Sequence, residues 1–558
     1  MPQISQHYLQ LEQRSVYYLK AGSGPILVML HGSPQSARAL RPIIDVFART
    51  FTCIAFDTPG NGLSDPLTTT NPSADDYAAS LLACFNALNI KRPALYGFHT
   101  GAGTAMSFIK HYPDRASCLV ADGYAVWNDL ERAEFLQHYL PEMPLSWDGS
   151  HLTWLWSRIE EQTVFFPWYQ PKAKARMDYT VPLNQHLHQN VEDILMAGDH
   201  YRAVYASAFK RRGEAGLQNL SQVPVLIAAN TADPLYPHLD RLPELPDNFT
   251  IERHEQDRPT TLQRYADYIG EHMQCTPQKS PTFTSNNLNK GFVEIDRGLQ
   301  LLYSSSQNHQ GRPLLLLHDA GCSHKMFLPY FSPLGQQRNI IAIDLPCHGD
   351  SRLNWSTSPY SVEDYAEYVG LALKQLGVEQ PAVLGIGLGG QIGLRLKAQG
   401  KAYESGIIGI ANWSKESLKA SRIDQTQLPS ISPEWDGSHL LRAWKISRWQ
   451  CLFYPWFMQD AQHRIDEYQQ LQLDRLQQRC IDLIKAGNHY RDAYNTQLND
   501  DTAKLINQYQ PKLFSLASVP SSSSADFQKL AKDCGTQTPY PLSDDPDIWV
   551  DYFAAWER

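Results

Sequence analysis

The sequence predicts an α/β protein that carries its fold twice: two tandem units, each a mostly parallel sheet flanked by helices and interrupted by a helical insert. Three observations point there. Short apolar runs of strand length alternate with longer amphipathic runs. Glycine-rich turns follow the apolar runs. Distinctive short segments recur at an almost constant spacing, the mark of a duplicated domain.

Taken in order, Ile26 to Leu30 is a continuous apolar run, expected as a buried strand, and leads into the turn His31-Gly32-Ser33-Pro34-Gln35. Cys53 to Asp57 is the next strand, followed by the Gly/Pro-rich turn from Thr58 to Asp65. Asp57 and Asp65 are expected to bond local backbone there. Ser73-Ala74-Asp75-Asp76 resembles a capping box and predicts a helix running to about Leu88. Ala94 to Gly97 is a strand that enters Gly97-Phe98-His99-Thr100-Gly101, and a helix follows from Thr100 to about Tyr112. Leu119 to Ala121 and Val225 to Ala229 supply later strands, and residues of about 125–220 between them read as a helical cap rich in Trp, Tyr and His.

The repeat sets the domain count. Asp148 to Leu152 recurs as Asp436 to Leu440, and Phe165-Phe166-Pro167-Trp168 as Phe453-Tyr454-Pro455-Trp456, both 288 positions later. Ala197 to Arg202 recurs as Ala486 to Arg491, one residue further on, and Gly97 finds its counterpart in Gly385. Domains are therefore expected over 1–274, with the cap at about 125–220, and over 291–558, with a cap at about 413–505. The polar, Pro- and Ser-bearing stretch 275–290 reads as the linker. A duplicated chain of this kind is expected to pack as an intramolecular pseudo-dimer.

Composition narrows the class. With 42% hydrophobic and 19% charged residues and a net charge of −9, the chain lacks the basic balance that nucleic acid attracts. No apolar run reaches the roughly 20 residues needed to span a bilayer, and the amino terminus lacks a secretory pattern. The nine cysteines are scattered without a CxxC pair, as expected of small buried hydrophobes in a cytoplasmic protein. The expected partner is a small-molecule substrate, with no nucleic acid, no membrane, no cofactor and no metal.

His31-Gly32-Ser33-Pro34-Gln35, Asp57 to Asp65 and Gly97 to Gly103 resemble the α/β-hydrolase fold superfamily, in the flavour of its haloalkane dehalogenase and epoxide hydrolase branch, whose members carry a helical cap. In that family the turn at 97–101 is the nucleophile elbow. Here it presents His99, and the second copy, Gly385 to Gly389, presents Gly387. The resemblance implies His99 at the nucleophile seat, Asp233 as the acid and His254 as the proton shuttle, with Asp122 as an alternative acid. Backbone N–H groups of Ser33 and Thr100 would form the oxyanion hole. Haloalkane and epoxide opening are disfavoured, because the attacking aspartate of those members is absent from both elbows.

An imidazole in that seat is open to three uses. It can act as a general base, as a nucleophile that forms an acyl-imidazole, or as packing. His99, His254 and Asp233 also match the ligand types of an open metal site, although no spacing supports one. In the second copy the three positions map to Gly387, Pro520 and Pro541, so residues 291–558 are read as degenerate. The expected activity is cleavage of an ester, a lactone or a C–C bond next to a carbonyl, in a small hydrophobic or aromatic substrate. The alternatives are a non-catalytic small-molecule binding or scaffolding protein and a cofactor-free lyase or decarboxylase. Trp127, Trp168, His200 and Tyr201 are the candidate substrate contacts, set against a structural role for the cap motifs that both copies share.

Overall fold

A computed structural model describes residues 2–273 apart from 13, 179 and 256. In the second half it describes 290–408 and 428–516, save 297, 307–310, 354, 356, 454–455, 458, 462–463 and 465–471, together with a few positions between 531 and 542. By internal contact the chain divides into two units, Met1–Pro144 with Trp154–Asn286 and Leu145–Thr153 with Asn287–Arg558. The first cap as read from the sequence thus lends nine residues, Leu145–Thr153, to the second unit. The expected linker lies almost wholly outside the described residues, as do Pro520 and the start of the second cap.

The first sheet is built from β1 (Ser5–Leu11), β2 (Arg14–Ala21), β3 (Ile26–Leu30), β4 (Thr52–Phe56), β5 (Ala94–Phe98), β6 (Leu119–Asp122), β7 (Val225–Asn230) and β8 (Phe249–His254), in the order β1-β2-β4-β3-β5-β6-β7-β8. β1 and β2 pair antiparallel at one edge, and every pair from β4 and β3 to β8 is parallel. Strands covered on both faces need apolar side chains throughout, and all five residues of β3 and of β4 are buried. Ser73 and Asp76 form the capping box of the helix Ala74–Ala87.

The second sheet repeats the plan with β9 (Lys290–Asp296), β10 (Leu299–Ser305), β11 (Leu314–Leu317), β12 (Ile340–Ile343), β13 (Ala382–Ile386), β14 (Glu404–Ile408), β15 (Lys512–Leu516) and β16 (Tyr540–Leu542). Its order, β9-β10-β12-β11-β13-β14-β15-β16, is that of the first sheet strand for strand. The described cysteines are free; six are buried and Cys451 is half-buried. Among the described residues no helix is long and apolar enough to cross a membrane.

Between β6 and β7 the first cap contributes the helices Asp129–His138, Ser150–Val164, Asn184–Ala197 and His200–Lys210. The repeated motifs do the same structural work in both copies. Asp148 Oδ1 accepts from Ser150 N as Asp436 Oδ1 does from Ser438 N, each at 3.0 Å. The Tyr201 hydroxyl donates to the Pro141 carbonyl at 3.2 Å, and that of Tyr490 to Pro429 at 2.6 Å. These contacts close helix ends and anchor the cap, which explains why they outlive the loss of His99 and its partners in the second copy.

Candidate active site

β5 ends in a turn too tight for any side chain at its flanks. A Cβ on Gly97 would sit 2.5 Å from Gly101 O, and one on Gly101 would sit 2.3 Å from Leu30 O. Between them His99 adopts φ 48° and ψ −108°, a conformation few bulky residues hold, before the helix Thr100–His111 begins. The backbone is fixed by His99 N donating to Asp122 O at 2.9 Å and by Gly103 N donating to His99 O at 3.1 Å. The imidazole stacks on Phe98 with ring centroids 3.9 Å apart.

His99 Nε2 lies 2.7 Å from Oδ2 of Asp233, which follows β7. Asp233 is buried, and its other oxygen accepts from Leu235 N at 2.8 Å. The ring can reach the acid because residue 123 is glycine: a Cβ there, at φ +71°, would meet His99 Cδ2 at 2.3 Å and Nε2 at 2.7 Å. Nδ1 of His99 has no partner among the described residues. Burial alone would lower the imidazole pKa, but the charge and hydrogen bond of Asp233, helped by Asp122, carry it above the ordinary 6.5. Burial would likewise raise the Asp233 carboxyl, yet His99 holds it below its usual value.

His254 is not part of this arrangement, and its proposed place as proton shuttle is corrected. It is the last residue of β8; its Nε2 lies 3.3 Å from Glu252 Oε2 and its ring packs on Tyr265, 5.4 Å between centroids. Asp122, the alternative acid, accepts from Tyr96 at 2.8 Å and Tyr265 at 3.1 Å and pairs with Arg258 Nη2 at 2.9 Å. That engagement leaves Asp233 as the acid that His99 reaches. With His254 elsewhere, the metal set of two histidines and a carboxylate does not converge, and among the described residues no metal-holding cluster of three His, Cys, Asp or Glu forms.

His99 opens onto a cavity of about 230 Å³, walled by Phe98, Trp127, Tyr139, Phe166, Tyr205 and Phe209, with Gly32, Ser33 and Thr100 at its base. The Ser33 N–H points at the Thr100 hydroxyl, 3.4 Å away, while the N–H of Thr100, first in its helix, has no partner among the described residues. Trp127 lines this space. Trp168, His200 and Tyr201 do not: the Trp168 indole donates to Tyr139 O at 3.1 Å, Tyr201 is tied to Pro141, and His200 is exposed at the head of its helix.

The sequence reading missed Gly123 and Arg211. The Arg211 guanidinium also lines the cavity and donates to the Tyr124 hydroxyl at 2.6 Å and to Ala125 O at 2.9 Å.

In the second domain the elbow is closed by its own chain. Gly387 has φ 51° and ψ −117°, nearly the angles of His99. Asp319, the counterpart of Gly32, turns Oδ1 onto the N–H of Ala320 at 2.8 Å and of Leu388 at 2.9 Å. These two donors match Ser33 and Thr100, so a carboxylate sits where an oxyanion would. Burial raises the Asp319 carboxyl to about 6 against the pull of these backbone donors.

Residues 25–260 match the family model of the alpha/beta hydrolase fold, and residues 314–524 match that of the alpha/beta hydrolase family. The chain belongs to the α/β-hydrolase fold family, twice over. Curated relatives include 2-(acetamidomethylene)succinate hydrolase of Mesorhizobium japonicum, 29% identical over 116 residues, which are 21% of this chain and 41% of the relative. Epoxide hydrolase 1 of Caenorhabditis elegans is 24% identical over 172 residues, 28% of this chain and 43% of its own. A cis-3-alkyl-4-alkyloxetan-2-one decarboxylase of Shewanella oneidensis is 30% identical over 123 residues, 21% and 38% of the two chains. The chain thus spans about two fifths of the length of the curated relatives it matches. Among solved structures, epoxide hydrolase A of Mycobacterium thermoresistibile is 16% identical with a TM-score of 0.39, covering 49% of this chain and 100% of that one.

Proposed function

We propose that the first domain hydrolyses a small acyl compound, an ester, a lactone or a C–C bond next to a carbonyl, with His99 as the reacting base. The observation that carries this reading is the 2.7 Å contact between His99 Nε2 and Asp233 at the wall of an aromatic cavity. Asp233 accepts from Nε2–H, which fixes the tautomer and leaves Nδ1 free to take a proton from water. The substrate carbonyl oxygen rests at the Thr100 and Ser33 N–H groups, where developing charge is stabilised. Direct attack by Nδ1 on the carbonyl carbon would break its bond to the leaving alcohol or carbon group, which departs with a proton, and give an acyl-imidazole that water then opens to the acid and free imidazole. Either way one residue combines the work that a serine and a histidine usually share.

A binding protein without turnover is the second reading. It is favoured by the Ser33 N–H, which is turned toward Thr100 Oγ1 instead of into open space. A panel of activated esters and lactones, assayed with wild type and His99→Ala, decides between them. Turnover lost with the imidazole supports the hydrolase. Turnover absent from both proteins, with a small molecule still raising the Tm, supports the binder.

A further inference from the structure

Among the described residues that line the cavity at His99, Arg211 alone carries a permanent charge, and no aspartate or glutamate lines it. Arg211 is half-buried and follows the last cap helix, His200–Lys210. Its guanidinium is held as a fixed plate over the Tyr124 ring, 4.4 Å from the centroid, with Nη1 donating to the Tyr124 hydroxyl and Nη2 to Ala125 O. These bonds use two of its five N–H groups; the other three, Nε–H among them, have no partner among the described residues. No carboxylate pairs with it there either. Glu214, three residues on, keeps Oε2 buried without a hydrogen bond and forms no ion pair with it.

The chain makes room for this cation beside the elbow. Gly103 lines the same cavity one helical turn after His99, whose carbonyl accepts from its N–H, and a Cβ on Gly103 would meet Arg211 Nε at 2.8 Å. In the second copy both positions differ. Gln391, 288 positions after Gly103, is buried and donates to Gln497 O at 3.1 Å. Asp500 follows the helix His489–Asn499 as Arg211 follows its own, and it pairs with Arg395 at 2.8 Å. The fold therefore does not need the cation or the glycine that admits it, and both belong to the domain that pairs His99 with Asp233.

We propose that Arg211 binds a carboxylate of the substrate, so that the first domain takes an acyl compound with an acidic group, its acid at Arg211 and its acyl carbon at His99. This rests on the hydrolase reading for the acyl end alone. His99, Thr100, Gly103 and Arg211 line one cavity of about 230 Å³, which gives a single small molecule access to both groups. A planar carboxylate matches the donors of a guanidinium, and the aromatic walls strengthen a charge-assisted bond by keeping water away. An uncharged compound filling the same space would leave the cation desolvated without a counter-ion.

Binding of 3-phenylpropionate and of uncharged 3-phenylpropionamide to the full chain tests the subsite, by calorimetry and by Tm, in wild type, His99→Ala and Arg211→Met. The acid is expected to bind wild type and H99A at least about tenfold more tightly than the amide, and that preference is expected to disappear in R211M. In kcat/KM, a preference for 4-nitrophenyl hemiglutarate over 4-nitrophenyl valerate should fall by about tenfold or more in R211M.

Equal binding of acid and amide to wild type, or a preference for the acid that R211M retains, overturns the proposal. So does a preference that H99A abolishes, because the acid then sits on the imidazole. Arg211-dependent binding of the acid without ester turnover keeps the subsite and removes the hydrolase reading. Turnover of both esters with no preference for the acid, and no binding of 3-phenylpropionate, does the reverse. Should R211M not fold, the contrast between acid and amide in H99A, where Arg211 is the remaining cation of the described lining, decides by itself.

Discussion

Two elbows with nearly the same backbone angles lead to opposite ends. At φ 48° the first domain places an imidazole that passes over Gly123 to reach Asp233; at φ 51° the second places no side chain at all. The space left by Gly387 is taken by Asp319, whose Oδ1 would lie 2.0 Å from any Cβ added there. The comparison teaches that the turn is a property of its glycines and of the sheet beneath it, while the chemistry depends on which side chain enters the space above. It also shows what the paired backbone donors prefer. In the second copy these donors hold a carboxylate oxygen of the chain itself.

The largest expected effect breaks the first elbow. His99→Ala and Asp233→Asn should each lower kcat/KM on an activated ester by about 10² to 10⁴-fold, the usual worth of a positioned base. Loss of less than about threefold would remove the dyad from the reaction. Gly123→Ala comes next, because its methyl group would collide with the imidazole at 2.3 Å on a backbone that also resists a side chain. A drop of about tenfold or more in kcat, together with a lowered Tm, is the expected result; unchanged kcat in the folded variant would mean that the ring does not need to reach Asp233.

The pH dependence sharpens the same comparison. The His99 pKa is raised above 6.5, so the stability it contributes is full below 6.5 and is lost as pH rises through the raised value. The Asp233 pKa is depressed below 3.8, so its contribution is full above 3.8 and is lost as pH falls through the lowered value. The cost of D233N in urea unfolding should therefore be greatest between 3.8 and 6.5 and shrink above the His99 pKa. A cost that is flat across that range would uncouple the two groups.

In the second domain, Asp319→Ala frees two backbone donors and should destabilise that unit by about 1–3 kcal/mol without changing ester turnover. A fall in turnover would contradict the division of labour between the domains. The smallest effect is expected for His254→Gln, within about threefold of wild-type kcat/KM, because the ring keeps company with Glu252 and Tyr265.

Much of this was legible in the sequence. The strands followed from apolar runs such as Ile26–Leu30, the elbows from paired glycines at 97 and 101 and at 385 and 389, and the duplication from spacing. Asp233 was named through the family resemblance, which sets an acid after the strand that became β7. His254 misled because chain order places a histidine near the end of the last strand, whereas the side chain of a strand residue goes to whichever face the pleat dictates.

Gly123 was invisible as one glycine among many, and Arg211 looked like an ordinary charged residue at a helix end. Asp319 did leave a signal: setting the copies side by side pairs it with Gly32, a charge opposite a glycine one residue after the shared His31 and His318.

The pH profile of kcat/KM for 4-nitrophenyl acetate, in wild type and in D233N, bears most directly on the imidazole as an acid-backed base. An ascending limb with a pKa above 6.5 in wild type, shifted downward and reduced in height in D233N, is the predicted result. A profile without that limb, or one that D233N leaves in place, would contradict it.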